Sequence, residues 1–390
     1  MRISIVMGFF LPVPPARGGA TEKSWHRLAK AFAGEGHAVT LISRRWQGWP
    51  DDERREGVRH LRIGGFNHRR GLAANLLLDL RWSFRARRAM PAADIAVIHA
   101  VTLPALGLRG TIDTGKIVVM PGRMPKGQYR FYRNVSRVLA TSNVVRDRVV
   151  RENPALAPVT KVTGYPIEWE ELSGHRGRRT REATRNIVYA GRLHREKGLD
   201  LLVEAACRLA SVPLLPPWRL VLCGPADVAS GGGGESYVAG LRAKLSARLP
   251  ADRWRIEPPR FENGRLAELY READIFCYPS VAATGETFGV AIAEAMAAGA
   301  IPLVSGLACF RDLVSHGTNG MVFSHEGNDP AGSLVSSLAE ALGCPAETSR
   351  TMSLRATESV RHLDFPRYAR DLLADFATIG GGQARMESRS

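Results

Sequence analysis

Residues 275–304 read IFCYPSVAATGETFGVAIAEAMAAGAIPLV, and this stretch shows the fold of the 390-residue chain most clearly. Two short apolar runs, Ile275–Tyr278 and Ile301–Val304, have the length and composition of buried strands. Residues 288–298 between them are predicted to form a helix. A strand, a helix and a second strand in this order predict a parallel β-α-β unit covered by helices.

The same alternation recurs on the N-terminal side of this unit. Further strands are predicted at residues 2–7, 39–42, 95–98, 117–120, 138–139, 186–190 and 219–223. A polar and basic stretch, which includes SGHRGRR at residues 173–179, interrupts the alternation and is typical of a linker. We therefore predict an α/β protein with two Rossmann-like, doubly wound domains.

The excess of positive over negative charge is confined to the first half of the chain. Residues 1–185 hold 33 Lys and Arg against 15 Asp and Glu, which gives a formal charge of +18, whereas residues 186–390 carry −2. Such asymmetry predicts an anionic partner, either acidic lipid or nucleic acid; the alternative is an arginine-rich genome composition. No recognised nucleic-acid motif accompanies the charge, so we expect no nucleic-acid partner.

A basic, amphipathic helix is predicted within residues 69–88, where Leu, Trp and Phe accompany the arginines. This composition is typical of a helix that lies on anionic lipid, and a core helix with an arginine-rich outer face is the alternative. The sequence has no evident signal peptide and no apolar run long enough to span a membrane. We therefore expect a cytoplasmic protein, peripheral on the inner membrane face.

Residues 285–296 hold the candidate binding site. The predicted helix begins near Phe288 or Gly289, where free backbone N–H groups and the helix dipole suit a diphosphate. Glu286 lies just before these donors and Glu294 lies inside the helix, and carboxylates can accept hydrogen bonds from sugar hydroxyls. A nucleotide sugar meets both requirements. The first strand is followed by GFFLP at residues 8–12 rather than by a dinucleotide-binding glycine motif, which argues against NAD or FAD.

These two glutamates, in ETFG and AEAM, resemble the signature of the family-4 retaining glycosyltransferases. The segments VYAGRL at 188–193, EKG at 196–198, GGA at 18–20 and GHAV at 36–39 resemble further motifs of that family. The resemblance covers most of the chain and implies the GT-B fold, in which two Rossmann-like domains face a central cleft. The implied division is an acceptor-side domain at 1–170, a linker at 171–185, a nucleotide-sugar donor domain at 186–362, a helix at 363–379 that packs back on the first domain, and a disordered tail at 380–390.

The resemblance also implies roles for individual residues. Arg192 and Lys197 would bind the donor diphosphate, Glu294 the ribose and Glu286 the sugar hydroxyls. Catalytic roles are predicted for Glu286, Arg192, Lys197 and His99. The predicted donor-binding residues are Gly18, Gly19, Arg192, Lys197, Phe261, Glu286, Thr287, Phe288, Gly289, Val290 and Glu294.

The acceptor side departs from the family pattern. Many members carry a histidine after the strand that matches residues 117–120, whereas this chain reads MPGRM at 120–124. His99, at the end of the preceding strand, is the predicted substitute, and its alternative is a structural role. Arg123, Lys126 and Gln128 are further acceptor-side candidates. The chain contains no Asp-x-Asp motif, so we expect neither a metal nor any other cofactor beyond the nucleotide-sugar co-substrate.

We therefore predict a metal-independent hexosyl- or glycosyltransferase that acts with retention on a saccharide or lipid-linked saccharide, in surface polysaccharide or glycolipid synthesis. Two alternatives are a nucleotide-sugar epimerase and a catalytically inactive nucleotide-sugar-binding protein at the membrane. The sequence leaves the sugar, the nucleotide, the acceptor and the oligomeric state open.

Overall fold

The structure is a computed structural model that describes residues 1–16, 19–106, 115–174, 184–260 and 263–380. The chain divides into two compact units. The first contains Met1–Pro166 and Phe365–Ser390, and the second contains Ile167–Asp364. Among the described residues, no helix is long and apolar enough to cross a membrane.

The first unit is built on an eight-stranded sheet in the order β3-β4-β2-β1-β5-β6-β7-β8. All neighbours are parallel except β3 and β4, which are antiparallel. The strands are β1 Arg2–Val6, β2 Ala38–Arg44, β3 Asp52–Arg55, β4 Val58–Ile63, β5 Ile95–Ile98, β6 Lys116–Val119, β7 Val135–Ala140 and β8 Thr160–Val162. The helices are α1 Ala20–Gly34, α2 Leu72–Ala89, α3 Leu103–Leu106, α4 Asn143–Glu152 and, from the end of the chain, α12 Phe365–Gly380.

The second unit is built on a six-stranded parallel sheet in the order β11-β10-β9-β12-β13-β14. Its strands are β9 Arg185–Ala190, β10 Trp218–Cys223, β11 Trp254–Glu257, β12 Ile275–Tyr278, β13 Ile301–Ser305 and β14 Met321–Phe323. Its helices are α5 Trp169–Ser173, α6 Leu199–Leu209, α7 Glu235–Arg248, α8 Asn263–Glu272, α9 Val290–Ala297, α10 Pro330–Gly343 and α11 Ala346–Ser359.

Both sheets reverse their strand order at one point, and each is therefore doubly wound as predicted. The reversal falls between β1 and β5 in the first sheet and between β9 and β12 in the second. Ligands of open α/β sheets bind beyond the carboxyl ends of the strands at such a point. The fold thus marks one candidate site in each unit.

Several predicted boundaries need correction, among them the end of the first domain, which lies at Pro166 rather than at residue 170. The predicted linker at 171–185 begins inside α5 and ends on the first residue of β9, while residues 175–183 lie outside the described residues. Leu172 of α5 is buried, and an apolar anchor of this kind makes the segment part of the second unit. Residues 363–364, predicted as the start of the last helix, precede α12; Gly380 ends it, and the rest of the predicted tail lies outside the described residues.

Helix α12 belongs to the first unit although it follows the whole second unit in the chain. Phe376 packs edge-on against Phe32 of α1, with ring centroids 6.0 Å apart. The buried carboxylate of Asp375 pairs with Arg137 of β7 at 2.8 Å and with Lys161 of β8 at 3.3 Å. These contacts complete the core of the first unit on the α1 face.

Helix α2 has one buried face and one exposed face. Trp82 is fully buried and its Nε1–H donates to the carbonyl of Met7 at 2.9 Å. On the exposed face, positions 77, 81, 84 and 88 follow helical spacing and place two apolar side chains, Leu77 and Phe84, among arginines.

Several polar side-chain atoms lie buried where α1 packs on β2 and β4. Among the described residues, His26 Nε2, both ring nitrogens of His60 and Ser43 Oγ make no hydrogen bond. The His26 and His60 rings lie 5.6 Å apart. Burial lowers the pKa of His60 to about 4, and the neighbouring His26 and Arg62 act in the same direction. Burial also lowers the pKa of His26, whose ring faces Lys30 and Glu56.

We expect the first unit to lose stability in mild acid because of His60. The folded-state pKa lies below the unfolded value of about 6.5, so the unfolded state binds more protons as the pH falls toward 4. Calorimetric melting at pH 7 and pH 5 should show a loss of roughly 1–2 kcal/mol in wild type that is reduced in His60→Leu. Replacement of the exposed His68 by Leu is the control, and equal pH dependence in wild type and His60→Leu would contradict the assignment.

Candidate active site

The site in the second unit begins with Gly198, which allows the loop after β9 to approach the loop after β12 closely. Gly198 has φ +72°, and a Cβ atom there would lie 1.9 Å from the carbonyl oxygen of Pro279. Only glycine fits this close approach. The backbone oxygen of Glu196 also accepts from Val281 N–H at 3.0 Å, so the loops that leave β9 and β12 are joined by main-chain contacts.

A buried ion pair joins the same two loops through their side chains. Lys197 Nζ lies 2.6 Å from Glu286 Oε1, and the two side chains are only 7% and 9% exposed. The ammonium also lies 5.7 Å from the ring centroid of Tyr278. Burial, followed by the charge of Glu286, raises the pKa of Tyr278 well above its ordinary value, so this phenol stays neutral.

Arg192 lies beside this pair but at the surface. Its Nη2 is 2.7 Å from Glu196 Oε1, and its Nη1 donates to the carbonyl of Gly231 at 3.1 Å. The carbonyl of Arg192 accepts from the buried hydroxyl of Tyr189 at 2.8 Å. The guanidinium is therefore oriented by one carboxylate and one carbonyl, and its side chain remains 43% exposed.

The N-terminus of α9 presents backbone donors at the same edge of the sheet. Gly289 caps the helix with φ +102°, a conformation that favours glycine. The helical hydrogen bonds start with Ile292 and Ala293, which both donate to the Gly289 carbonyl. The amides of Phe288, Gly289 and Val290 therefore precede the intrahelical ladder and can bind an anion.

Glu294 lies on α9, where it is half-buried. Its Oε2 accepts a hydrogen bond of 2.9 Å from the hydroxyl of Tyr270 on α8. Tyr270 is itself buried and packs edge-on against Phe276, with ring centroids 5.5 Å apart. A rigid phenol thus fixes one carboxylate oxygen of Glu294.

In the first unit, the predicted residues Gly19 and Arg123 both lie near the Glu22 carboxylate at the start of α1. Gly19 precedes α1, beside the buried carboxylate of Glu22. Burial raises the pKa of Glu22, while the hydrogen bond from its own backbone amide and the charge of Arg123 oppose the rise. Arg123 and Lys126 are exposed in the segment after β6.

His99 follows β5 at the point where the first sheet reverses its strand order. Its ring lies edge-on to Trp25, with centroids 4.9 Å apart, and its Nε2 has no partner among the described residues. Burial lowers the pKa of His99 to about 3, so the imidazole is neutral at pH 7. A neutral ring in this place can accept or donate one hydrogen bond, and a catalytic role for it stays a prediction.

The structure thus brings together Lys197 with Glu286, places Arg192 beside them and sets the α9 amides and Glu294 along the same helix. His99, Gly19, Arg123 and Lys126 lie in the first unit. Gly18 and Phe261 lie outside the described residues. Sequence reasoning missed Glu22, Tyr270 and Tyr278. Glu22 could have been found from the sequence, because only two residues separate it from the predicted donor-binding pair Gly18 and Gly19.

Comparison with known proteins agrees with this architecture. The family model described as glycosyl transferases group 1 matches residues 175–358, and the model described as glycosyltransferase family 4 matches residues 18–161. Together the two matches take in most of the chain. The chain belongs to the family-4, group 1 glycosyltransferases of the GT-B type.

The individual curated relatives match this chain over only part of their own length. A D-inositol 3-phosphate glycosyltransferase of Xylanimonas cellulosilytica is 34% identical over 37% of this chain, and the match spans only 31% of that relative. A phosphatidyl-myo-inositol mannosyltransferase of Mycobacterium tuberculosis is 26% identical over 53% of this chain and 50% of its own length. Among solved structures, Anabaena HepE in complex with UDP and glucose has a TM-score of 0.68 at 16% identity, covering 97% of this chain and 100% of that one, which shows a shared fold.

The buried ion pair gives a prediction for stability. Replacement of Lys197 by Met leaves the Glu286 carboxylate buried without its cation, and we expect the unfolding free energy of the second unit to fall by roughly 3 kcal/mol. The double change Lys197→Met with Glu286→Gln should recover part of this loss, because no uncompensated charge remains. Denaturant unfolding measures the change in unfolding free energy for both the single and the double variant.

Lys244→Met is the matched control, because Lys244 pairs with Asp200 at 3.7 Å with an ammonium side chain that is 57% exposed. A change of at most about 1 kcal/mol is expected there. If Lys197→Met were no more destabilising than Lys244→Met, the pair would not be buried in solution.

Proposed function

We propose that this protein is a retaining glycosyltransferase that moves a sugar from a nucleotide diphosphate to a saccharide or lipid-linked saccharide in surface polysaccharide or glycolipid synthesis. The observation that carries the proposal is the arrangement at the β9/β12 reversal. There Lys197, Arg192 and the first amides of α9 provide positive charge, and Glu286 and Glu294 provide hydroxyl acceptors. The UDP and glucose named for the HepE structure support a nucleotide-sugar donor.

The proposed reaction breaks the bond between the anomeric carbon and the diphosphate. Negative charge then develops on the leaving diphosphate, where fixed cations and amide dipoles are most effective because they are oriented in advance. The acceptor hydroxyl attacks from the face that the diphosphate leaves, and a phosphate oxygen takes its proton. This route needs neither an enzyme nucleophile nor a metal ion.

Within this proposal each carboxylate has a separate task. Glu286 holds Lys197 at 2.6 Å with one oxygen, and its other oxygen accepts from a sugar hydroxyl. Glu294, fixed by Tyr270, binds the ribose. The first unit binds the acceptor, with His99, Arg123 and Lys126 as its candidate contacts.

Donor binding tests the proposal most directly. We expect one nucleotide of a UDP, GDP, ADP and dTDP panel to raise the melting temperature of the second unit in the presence of EDTA. Glu294→Ala should weaken its binding by about tenfold or more, because charged hydrogen bonds to a ligand are strong. Calorimetric titration provides the affinity.

Glu268→Ala is the matched control, since Glu268 is an exposed glutamate on α8 of the same unit. Binding that needs added metal would remove metal independence from the proposal. Stabilisation by none of the nucleotides, even with the sugar attached, would favour an inactive binding protein, and epimer formation without transfer would favour the epimerase. Inversion at the anomeric carbon of the product, seen by NMR, would exclude retention.

We also propose that the exposed face of α2 binds anionic lipid at the inner membrane face. Leu77 is 51% exposed and Phe84 46% exposed, and both are flanked by arginines of the same face. Apolar side chains among cations suit the boundary between headgroups and acyl chains.

Flotation with vesicles of anionic phospholipid at low salt tests this surface. We expect wild type to float and Leu77→Glu to float several-fold less, because the added carboxylate opposes both apolar burial and charge attraction. Leu354→Glu, on α11 of the second unit, is the control at a residue of similar exposure, 47%. Equal flotation of Leu77→Glu and wild type would exclude α2 as the lipid-binding surface.

A further inference from the structure

The segment between β10 and α7 contains four consecutive glycines and lies against the segment that follows β9. Two main-chain hydrogen bonds join the segments. Leu193 N–H donates to the carbonyl of Pro225 at 3.0 Å, and Gly233 N–H donates to the carbonyl of Leu193 at 2.8 Å. We call residues 225–233 the glycine loop. Because both main-chain groups of Leu193 are bonded to it, the loop has a fixed position beside Arg192.

Internal hydrogen bonds hold the glycine loop in one conformation. Asp227 accepts from Ser230 N–H at 2.7 Å through a side-chain oxygen and from Gly232 N–H at 2.8 Å through its carbonyl. Gly234 N–H, directly after the loop, donates to the carbonyl of Ala226 at 2.8 Å. A Cβ atom at Gly232 would overlap that same carbonyl, so only glycine fits there. The loop is therefore ordered, although a run of glycines is typical of a flexible linker.

Gly231 is the residue of the glycine loop that holds the side chain of Arg192. Its carbonyl accepts from Arg192 Nη1 at 3.1 Å. Its φ is +82°, a conformation that favours glycine, and a Cβ atom there would lie 3.0 Å from Arg192 Cδ and 3.1 Å from Nη1. A side chain at position 231 would therefore displace either the guanidinium or the carbonyl that holds it.

Glu196 is the second partner of Arg192, and the two partners differ in charge. The Glu196 carboxylate binds Nη2 at 2.7 Å and, as an anion, competes with a diphosphate for the same cation. The carbonyl of Gly231 is neutral and does not compete. Since a guanidinium has five N–H donors in a fixed plane, one bond to a carbonyl orients it and leaves donors for phosphate.

We propose that the glycine loop positions Arg192 for the donor: the Gly231 carbonyl holds Nη1 while Nη2 exchanges Glu196 for an oxygen of the diphosphate. Gly231 is then a positioning residue, which acts on the donor only through Arg192. A cation that is oriented in advance binds its ligand at a lower cost in entropy, so the loop raises the affinity for the donor. This inference rests on the proposed function.

Titration calorimetry of the whole chain with UDP, GDP, ADP and dTDP, each in EDTA, tests this role. Gly231→Ala should bind the nucleotide that wild type prefers about tenfold more weakly. In an Arg192→Met background the same change should cost less than about twofold, because the side chain through which Gly231 acts is gone. A loss of equal size in both backgrounds would show that Gly231 does not act through Arg192, and would overturn the proposal.

Gly234→Ala is the matched control, because Gly234 caps α7 directly after the loop and also has a positive φ, +90°. Alanine there meets comparable backbone strain, but the nearest atom to its Cβ would be Val228 Cγ2 at 3.6 Å rather than Arg192. This variant should bind the nucleotide as wild type does. Equal weakening by Gly231→Ala and Gly234→Ala would trace the effect to strain in the segment and would contradict the proposal.

Glu196→Gln asks which of the two partners orients Arg192. We expect it to bind the nucleotide at least as tightly as wild type, because it removes an anion that competes with the diphosphate and leaves the Gly231 carbonyl in place. A tenfold loss of affinity in Glu196→Gln would assign the orientation of Arg192 to Glu196 instead of the glycine loop.

Nucleotide binding by wild type separates this inference from the proposed function. If wild type binds none of the four nucleotides, the result counts against the transferase. If wild type binds one of them and Gly231→Ala binds it equally well, or if Arg192→Met binds it as wild type does, only the role of the glycine loop is overturned.

Discussion

The ion pair between Lys197 and Glu286 is the interaction on which the proposed donor site depends. It joins the loops that leave β9 and β12, the two strands between which the second sheet reverses its order. Gly198 allows the loops to touch, and the buried pair fixes the distance between them. The amides of α9 and the carboxylate of Glu294 follow in the same chain segment, so their positions relative to the ammonium are set by this contact.

The electrostatics of the site follow from the same arrangement. The Lys197 and Glu286 side chains are both buried, so their attraction acts where water is largely excluded and each charge compensates the other. Arg192 has its own carboxylate partner, Glu196, but at the surface, where exchange of one anion for another costs less. The site therefore combines a fixed inner cation with an outer one that can rearrange around a ligand.

The sequence predicted the central strands well and the edges poorly. All nine predicted strands are present as parallel strands, and their apolar runs reflect burial on both faces. The missed strands β3, β8, β11 and β14 are edge strands, and β4, which reads VRHLRI, lies next to one. Three of these edge strands, β3, β8 and β11, contain polar or charged residues, so no apolar run marks them. The fourth, β14, is apolar but only three residues long, which is too short to be recognised as a strand.

The site residues also divide into those that the sequence predicted and those that it missed. Glu286 and Glu294 could be found because they lie in one chain segment at a helix start, and Lys197 because a resemblance pointed to it. Tyr270, which fixes Glu294, lies on another helix, and no local sequence pattern predicts a contact that depends on tertiary packing.

The place of α12 in the chain bears on the order of events at the ribosome. The first unit needs Phe376 and Asp375 to close its core over α1, β7 and β8, yet these residues are synthesised after all of Ile167–Asp364. At synthesis rates of about 5–20 residues per second, the last helix of the first unit is made on the order of ten to forty seconds after the rest of that unit. During that time the groove that α12 will fill is open, and the second unit, which is contiguous in the chain, is the first of the two that can be completed.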